Sequence, residues 1–165
     1  MTRWASDVSP ERALPEYPRP TMVRRRWQNL NGLWDYAVRP KDAPAPAKYD
    51  GKILVPFPIE SALSGVMRRL EPKQRLWYRR RFVVPPEWKA GRLLLHHDED
   101  VQVYLNGVPA FREGSFLTSY DDVEMTADAL ASLKRGRNVL AVHCRQTTGG
   151  QYVDVGLVTL RAAGP

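Results

Sequence analysis

Residues 76–86, LWYRRRFVVPP, suit one regular conformation. In an extended chain Leu76, Tyr78, Arg80, Phe82 and Val84 fall on one face, and Trp77, Arg79, Arg81 and Val83 on the other. Wound into a helix, the same residues would spread cationic and apolar groups around the whole circumference and leave no face to bury. Pro85 and Pro86 then end the strand, because neither has an N–H to give to a ladder. A chain built from such segments has to make its core by pairing strands.

The rest of the sequence repeats this pattern of a short apolar segment followed by a turn. NLNGLWDYAV (29–38) alternates after the Asn31-Gly32 turn, and RPKDAPAPAKYDGK (39–52) is a proline-broken loop. ILVPFP begins a short strand stopped by Pro56 and Pro58. GRLLLHH (91–97) is a nearly continuous apolar run, as for a strand covered on both faces. Asp98, Glu99 and Asp100 turn the chain into VQVYLNG (101–107), where Asn106-Gly107 signals a hairpin. VPAFREG returns from it, and SFLTSYDDVEMT holds a further strand. NVLAVHCRQ (138–146) sets Val139, Ala141, His143 and Arg145 against Leu140, Val142 and Cys144, and QYVDVGLVTL (151–160) closes the series. Helix is expected only at 60–64 and 127–134, with Gly136 as the stop. About nine short strands with so little helix predict an all-β fold, a β-sandwich. The first 28 residues, punctuated by proline, read as an extended lead-in, and 29–161 as a single sandwich domain.

Composition narrows the function classes. A chain of 165 residues is enough for one ordinary domain, and its 43% hydrophobic content argues for a packed globule. The formal charge of +7 invites a nucleic-acid reading. The arginines, however, come in short groups (24–26, 68–69, 79–81) without a recognition helix, zinc finger or RNA-binding aromatic motif. No nucleic-acid partner is therefore expected. No apolar run is long enough to span a membrane, so no membrane partner is expected either. The N-terminus lacks the apolar core of a secretion signal, which predicts a cytoplasmic protein if that terminus is complete. Cys144 is the single cysteine, which excludes an internal disulfide.

Five pieces occur in order: NLNGLWDY, VPFPIESALSG, RLWYRRRFVVPPEW, LLLHHDEDVQVYLNG and LKRGRNVLAVHC. Together, over roughly residues 17–161, they resemble the N-terminal sugar-binding domain of glycoside hydrolase family 2, the β-galactosidase, β-glucuronidase and β-mannosidase group. The resemblance implies a jelly-roll sandwich of the galactose-binding-like fold. In that family the domain precedes an immunoglobulin-like sandwich and a (β/α)₈ barrel that carries both catalytic glutamates. Trp77, Tyr78 and Phe82 then become packing residues of the WYRR-x-F strand, with Arg79 and Arg80 expected to pair with carboxylates or edge carbonyls.

Catalysis by this chain alone is not expected. Retaining glycoside hydrolysis needs two carboxyl groups about 5–5.5 Å apart, and Glu60, Glu71, Glu99, Glu113 and Glu124 fall in or beside separate predicted turns. No cofactor is expected. His96 and His97 are adjacent on a strand and point to opposite faces, so they cannot share a metal. Asp98, Glu99 and Asp100 offer oxygen ligands of the kind calcium takes, with a solvated acidic turn as the simpler reading. Cys144 reads as a buried small hydrophobe. Carbohydrate is the expected partner, and two loops are the candidate contacts. The connection 57–75 supplies Glu60, Ser61, Ser64, Arg68 and Arg69, whose groups suit hydroxyls or a uronate. The turn 146–152 supplies Gln146, Gln151 and Tyr152. That turn is shorter than the acidic, tryptophan-rich segment family members carry there, which makes a polar hairpin an equal reading. The chain is thus expected to be a non-catalytic sugar-binding domain supporting hydrolysis of O-glycosidic bonds by a barrel outside it, with further domains as partners. The alternative is an independent carbohydrate-binding or protein-interaction module.

Overall fold

The computed structural model describes residues 3–14, 27–84, 90–145 and 152–159. Strands take 53% of the described residues, with little helix. Ten strands follow in order: β1 (Trp27–Gln28), β2 (Gly32–Pro40), β3 (Gly51–Val55), β4 (Gln74–Val84), β5 (Ala90–Asp98), β6 (Asp100–Leu105), β7 (Val108–Glu113), β8 (Asp121–Glu124), β9 (Gly136–Arg145) and β10 (Tyr152–Thr159). Among the described residues one short α-helix, α1 (Ala127–Ser132), lies between β8 and β9. The strands form two antiparallel sheets, β1-β10-β5-β8 and β3-β2-β4-β9-β6-β7. The molecule is an all-β sandwich, and no helix among the described residues is long and apolar enough to cross a membrane.

The alternation seen in the sequence sets the layers. Leu76, Phe82 and Val84 of β4 face the core with Leu140 and Val142 of β9 and Val101, Val103 and Leu105 of β6. Leu93 and Leu95 of β5 and Val155 and Leu157 of β10 meet them from the other sheet. Trp34 sits in this core with its indole N–H donating to the Leu30 carbonyl at 2.7 Å, so its one polar atom is satisfied. The Asn106-Gly107 hairpin forms as the sequence predicts, with φ of 53° and 85° at its two central residues.

Trp77 is buried, but on the outer face of the six-stranded sheet rather than between the sheets. It packs against His143 and Tyr104, with ring centroids 4.4 and 6.0 Å away. Its position on the opposite face from Leu76 and Tyr78 follows from the two-residue period of a strand.

Two expectations need correction. The helix at 127–134 ends at Ser132, with Leu133 already extended, and Gly136 (φ 94°) opens β9 instead of stopping the helix. Asn138 explains this. Its buried amide accepts from Lys134 N–H at 2.9 Å and donates to the Lys134 and Gly136 carbonyls at 2.8 and 3.0 Å, so the chain turns here on a side chain. The expected pairing holds for Arg79, whose Nε and Nη2 donate to Asp35 at 3.0 and 2.8 Å, but not for the buried nitrogens of Arg80. Arg80 Nε and Nη1 have no hydrogen-bond partner among the described residues, because Arg80 points inward from β4 while Arg79 points out. Its guanidinium lies where a side chain at Gly32 (φ 117°) would project, 3.0 Å from an ideal Cβ there.

The lead-in is folded where it is described. Residues Arg3–Asp7 form a short 3₁₀ helix, and the Ala13 and Leu14 carbonyls accept from the Asn31 amide at 3.1 and 3.2 Å. Trp27 and Gln28 then add an edge strand to β10.

Candidate functional site

The rim where β3, β10 and the connection after β3 meet holds a cavity of about 150 Å³. Phe57, Pro58 and Ile59 form one wall, and Tyr152 and Val153 another, with Trp34 and Tyr78 at the back. Two of the chain segments expected to act together, the start of the 57–75 connection and Tyr152, therefore share one cavity. Burial pushes the Tyr78 hydroxyl well above the ordinary tyrosine range, so it stays a neutral hydroxyl here.

The polar candidates are distributed differently. Glu60, Arg68 and Arg69 are exposed on the connection and do not line the cavity. Ser61 caps the 3₁₀ helix Ala62–Ser64, its hydroxyl accepting from Leu63 N–H at 3.1 Å. Ser64 is buried; its hydroxyl donates toward the Ser61 and Ile59 carbonyls at 2.7 and 3.2 Å and accepts from Val66 N–H. Both serines hold the loop in shape, since a loop folded against a sandwich must satisfy its own backbone groups. Gln146 and Gln151 lie outside the described residues.

Tyr152 belongs to a polar aromatic cluster on the outer face of the four-stranded sheet. Its ring lies 4.8 Å from that of His96, which lies 5.0 Å from Tyr120. The Tyr152 hydroxyl is 3.0 Å from His96 Nε2 and 3.2 Å from the Leu117 carbonyl. Tyr120 donates to the Asp154 carboxylate at 2.5 Å. An exposed aromatic edge beside hydroxyls and a carboxylate can stack on an apolar sugar face and hydrogen-bond its rim. Sequence reasoning found Tyr152 but missed His96, Tyr120 and Asp154 as its neighbours. The only available signal was that Asp154 and His96 alternate outward on their strands, and their pairing is a matter of register.

The acidic turn 98–100 has structural duties. Asp98 accepts from the Cys144 thiol at 3.2 Å through its carbonyl, Glu99 lies 2.7 Å from His97 Nδ1 through its carbonyl, and Asp100 accepts from Ser115 N–H at 3.1 Å. No three His, Cys, Asp or Glu side chains among the described residues are grouped to hold a metal ion. His96 and His97 do point to opposite faces, His97 being buried and His96 part-exposed. Cys144 is buried among apolar residues.

No family model matches the chain. A β-glucuronidase from Paenibacillus borealis is 25% identical over 124 residues, which cover 67% of this chain and 20% of that protein. A β-D-mannosidase from Dictyoglomus thermophilum superposes with a TM-score of 0.52 at 19% identity, over 73% of this chain and 16% of that one. A β-D-glucuronidase from the same organism gives 0.50 at 20% identity, over 75% and 20%. The fold is thus that of an antiparallel sandwich carried as one part of much larger glycosidases. The sequence match and the fold agree in likening this chain to the N-terminal domain of glycoside hydrolase family 2. The chain spans about a fifth of the length of the curated relative it matches.

Proposed function

We propose that this chain is a non-catalytic carbohydrate-binding domain that supports O-glycoside hydrolysis by a catalytic domain in the same larger protein. The observation that carries the reading is the match itself: it spreads over two-thirds of this chain but only a fifth of a β-glucuronidase. A barrel of about 250 residues cannot fit in what this chain provides. The rim gives such a domain its contact surface, with Tyr152 and the Phe57–Ile59 segment bordering the same cavity. Arg68 and Glu60, exposed on the adjoining connection, supply hydrogen bonds at its edge. A rim that forms only part of a site binds a lone monosaccharide weakly, at millimolar strength or about 4 kcal/mol.

The test is an NMR titration of the purified chain with galactose, glucuronate and mannose. Shifts gathering on Tyr152, His96 and residues 57–60 support the reading, and their disappearance in Tyr152→Ala ties them to the rim. Shifts confined to the outer face of the six-stranded sheet or to the Asp98–Asp100 turn overturn the location. Release of nitrophenol from an aryl glycoside by the purified chain overturns the non-catalytic assignment.

A further inference from the structure

The outer face of the six-stranded sheet carries a second cavity, about 230 Å³ in volume, that shares no residue with the rim. Arg75 of β4, Arg112 of β7 and Arg145 of β9 line it, with His143, Gln102, Asp100 and Glu113. The register brings the cations together. Arg75 lies directly opposite Arg145, and Gln102 lies between His143 on one side and Arg112 on the other. Like charges directly opposite on a sheet destabilise it, and Asp100, opposite Arg145 on its other side, offsets the row only in part.

Two carboxylates, Asp100 and Glu113, line the cavity against three guanidiniums, which leaves an excess of positive charge. Asp100 accepts from Ser115 N–H, and its other oxygen is 3.8 Å from Arg145 Nε, an ion-pair distance too long for a hydrogen bond. Glu113 is 3.3 Å from His97 Nε2. Arg75 Nε, Arg145 Nε and His143 Nδ1 are all buried without a hydrogen-bond partner among the described residues. His143 is 3% exposed, and an orphaned polar atom at that depth carries a desolvation cost. The orientation of its ring is fixed. Tyr104 donates to Gln102 Oε1 at 2.8 Å, so that oxygen is an acceptor, and His143 Nε2 at 2.9 Å must be the N–H that also reaches it. Nδ1 is left with its lone pair among three guanidiniums.

We propose that this face is a binding site for a small oxyanion, a carboxylate or phosphate group on a body up to the size of one ring. Arg75 and Arg145 bind the anion through their Nε–H groups, and Arg112 closes the open side. Guanidinium is suited to this, because its planar donors match both carboxylate and phosphate. A cavity of about 150 Å³ accommodates benzene, so the space here exceeds what a bare ion needs. His143 adds a proton link. Its Nδ1 becomes a donor only when protonated, so the anion draws a proton onto the ring. The groups around that ring and its cavity are Arg75 and Trp77 from β4, Asp100, Gln102 and Tyr104 from β6, Arg112 and Glu113 from β7 and Arg145 from its own strand. Burial first, then the repulsion of Arg75, Arg112 and Arg145, holds His143 down to about 4, and an anion would offset the repulsion of the arginines.

The site lies apart from the rim, so its test is independent of the sugar reading. Glucuronate, inorganic phosphate and neutral glucose are titrated into the ¹⁵N-labelled chain. Both anions should shift the Arg75 and Arg145 Nε–H signals and raise the His143 pKa by about one unit or more, while glucose leaves both unchanged. Arg75→Gln should weaken anion binding about tenfold. Arg112→Gln, on an exposed strand, should weaken it similarly if Arg75→Gln fails to fold. Glucose acting like glucuronate, a His143 pKa unmoved by saturating phosphate, or full affinity in the folded variants would overturn the proposal.

Discussion

His143 reports on the buried outer face of the six-stranded sheet through its proton. Burial removes water from the imidazolium, and Arg75, Arg112 and Arg145 repel it, with Asp100 opposing them weakly; the folded pKa falls from 6.5 to about 4. Between those values the unfolded chain holds a proton that the native ring does not. Stability is therefore complete above the unfolded pKa and drains away as pH falls toward the folded one. At about 1.4 kcal/mol per unit, the full effect is about 3 kcal/mol, a large part of a domain's ~5–15 kcal/mol. The assay is urea unfolding at intervals from pH 7 to pH 4, on the wild type and on His143→Gln, which cannot titrate. Other groups contribute to both proteins, so the difference in slope isolates His143. The wild type should lose about 3 kcal/mol more than the variant over this range. Equal slopes, or a His143 ring signal that titrates near 6.5, would refute the argument.

Other substitutions test the fold's remaining supports. Asn138→Ala strips the 134–138 turn of a side chain that also accepts from Asn106 at 2.8 Å; with several buried partners left open, it should cost about 2 kcal/mol or more in chemical denaturation. Leu95→Ala, fully buried between the sheets, should cost about 2–5 kcal/mol by the same measurement. Asp35 is held below the ordinary carboxylate range: burial alone would raise it, but hydrogen bonds from Lys52 and Arg79 outweigh that. Its contribution is present above the unfolded pKa and is lost as pH falls through the lower folded value, and Asp35→Ala should cost about 1–3 kcal/mol at neutral pH by leaving Arg79 unpaired.

The strands were legible because each carries its own evidence: a two-residue period, a proline or glycine stop, and an Asn-Gly hairpin. Burial of Leu76, Phe82, Leu140 and Cys144 followed from that period alone. The helix end at Ser132 was not legible, since Asn138 closes that turn from six residues away and no local rule anticipates it. Neither was the 3₁₀ helix of Arg3–Asp7, which lies in a segment whose prolines suggest only extension. The site divides the same way. Sequence could nominate Tyr152 and the 57–75 connection as polar surface, but not tell that Ser61 and Ser64 are occupied within their own loop. It could set His143 and Arg145 on one face of their strand, but not bring Arg75 or Arg112 to them. Only the pairing of β4 with β9, β9 with β6 and β6 with β7 brings them to one cavity, because register is a relation between strands distant in sequence and is fixed by how the shared core closes.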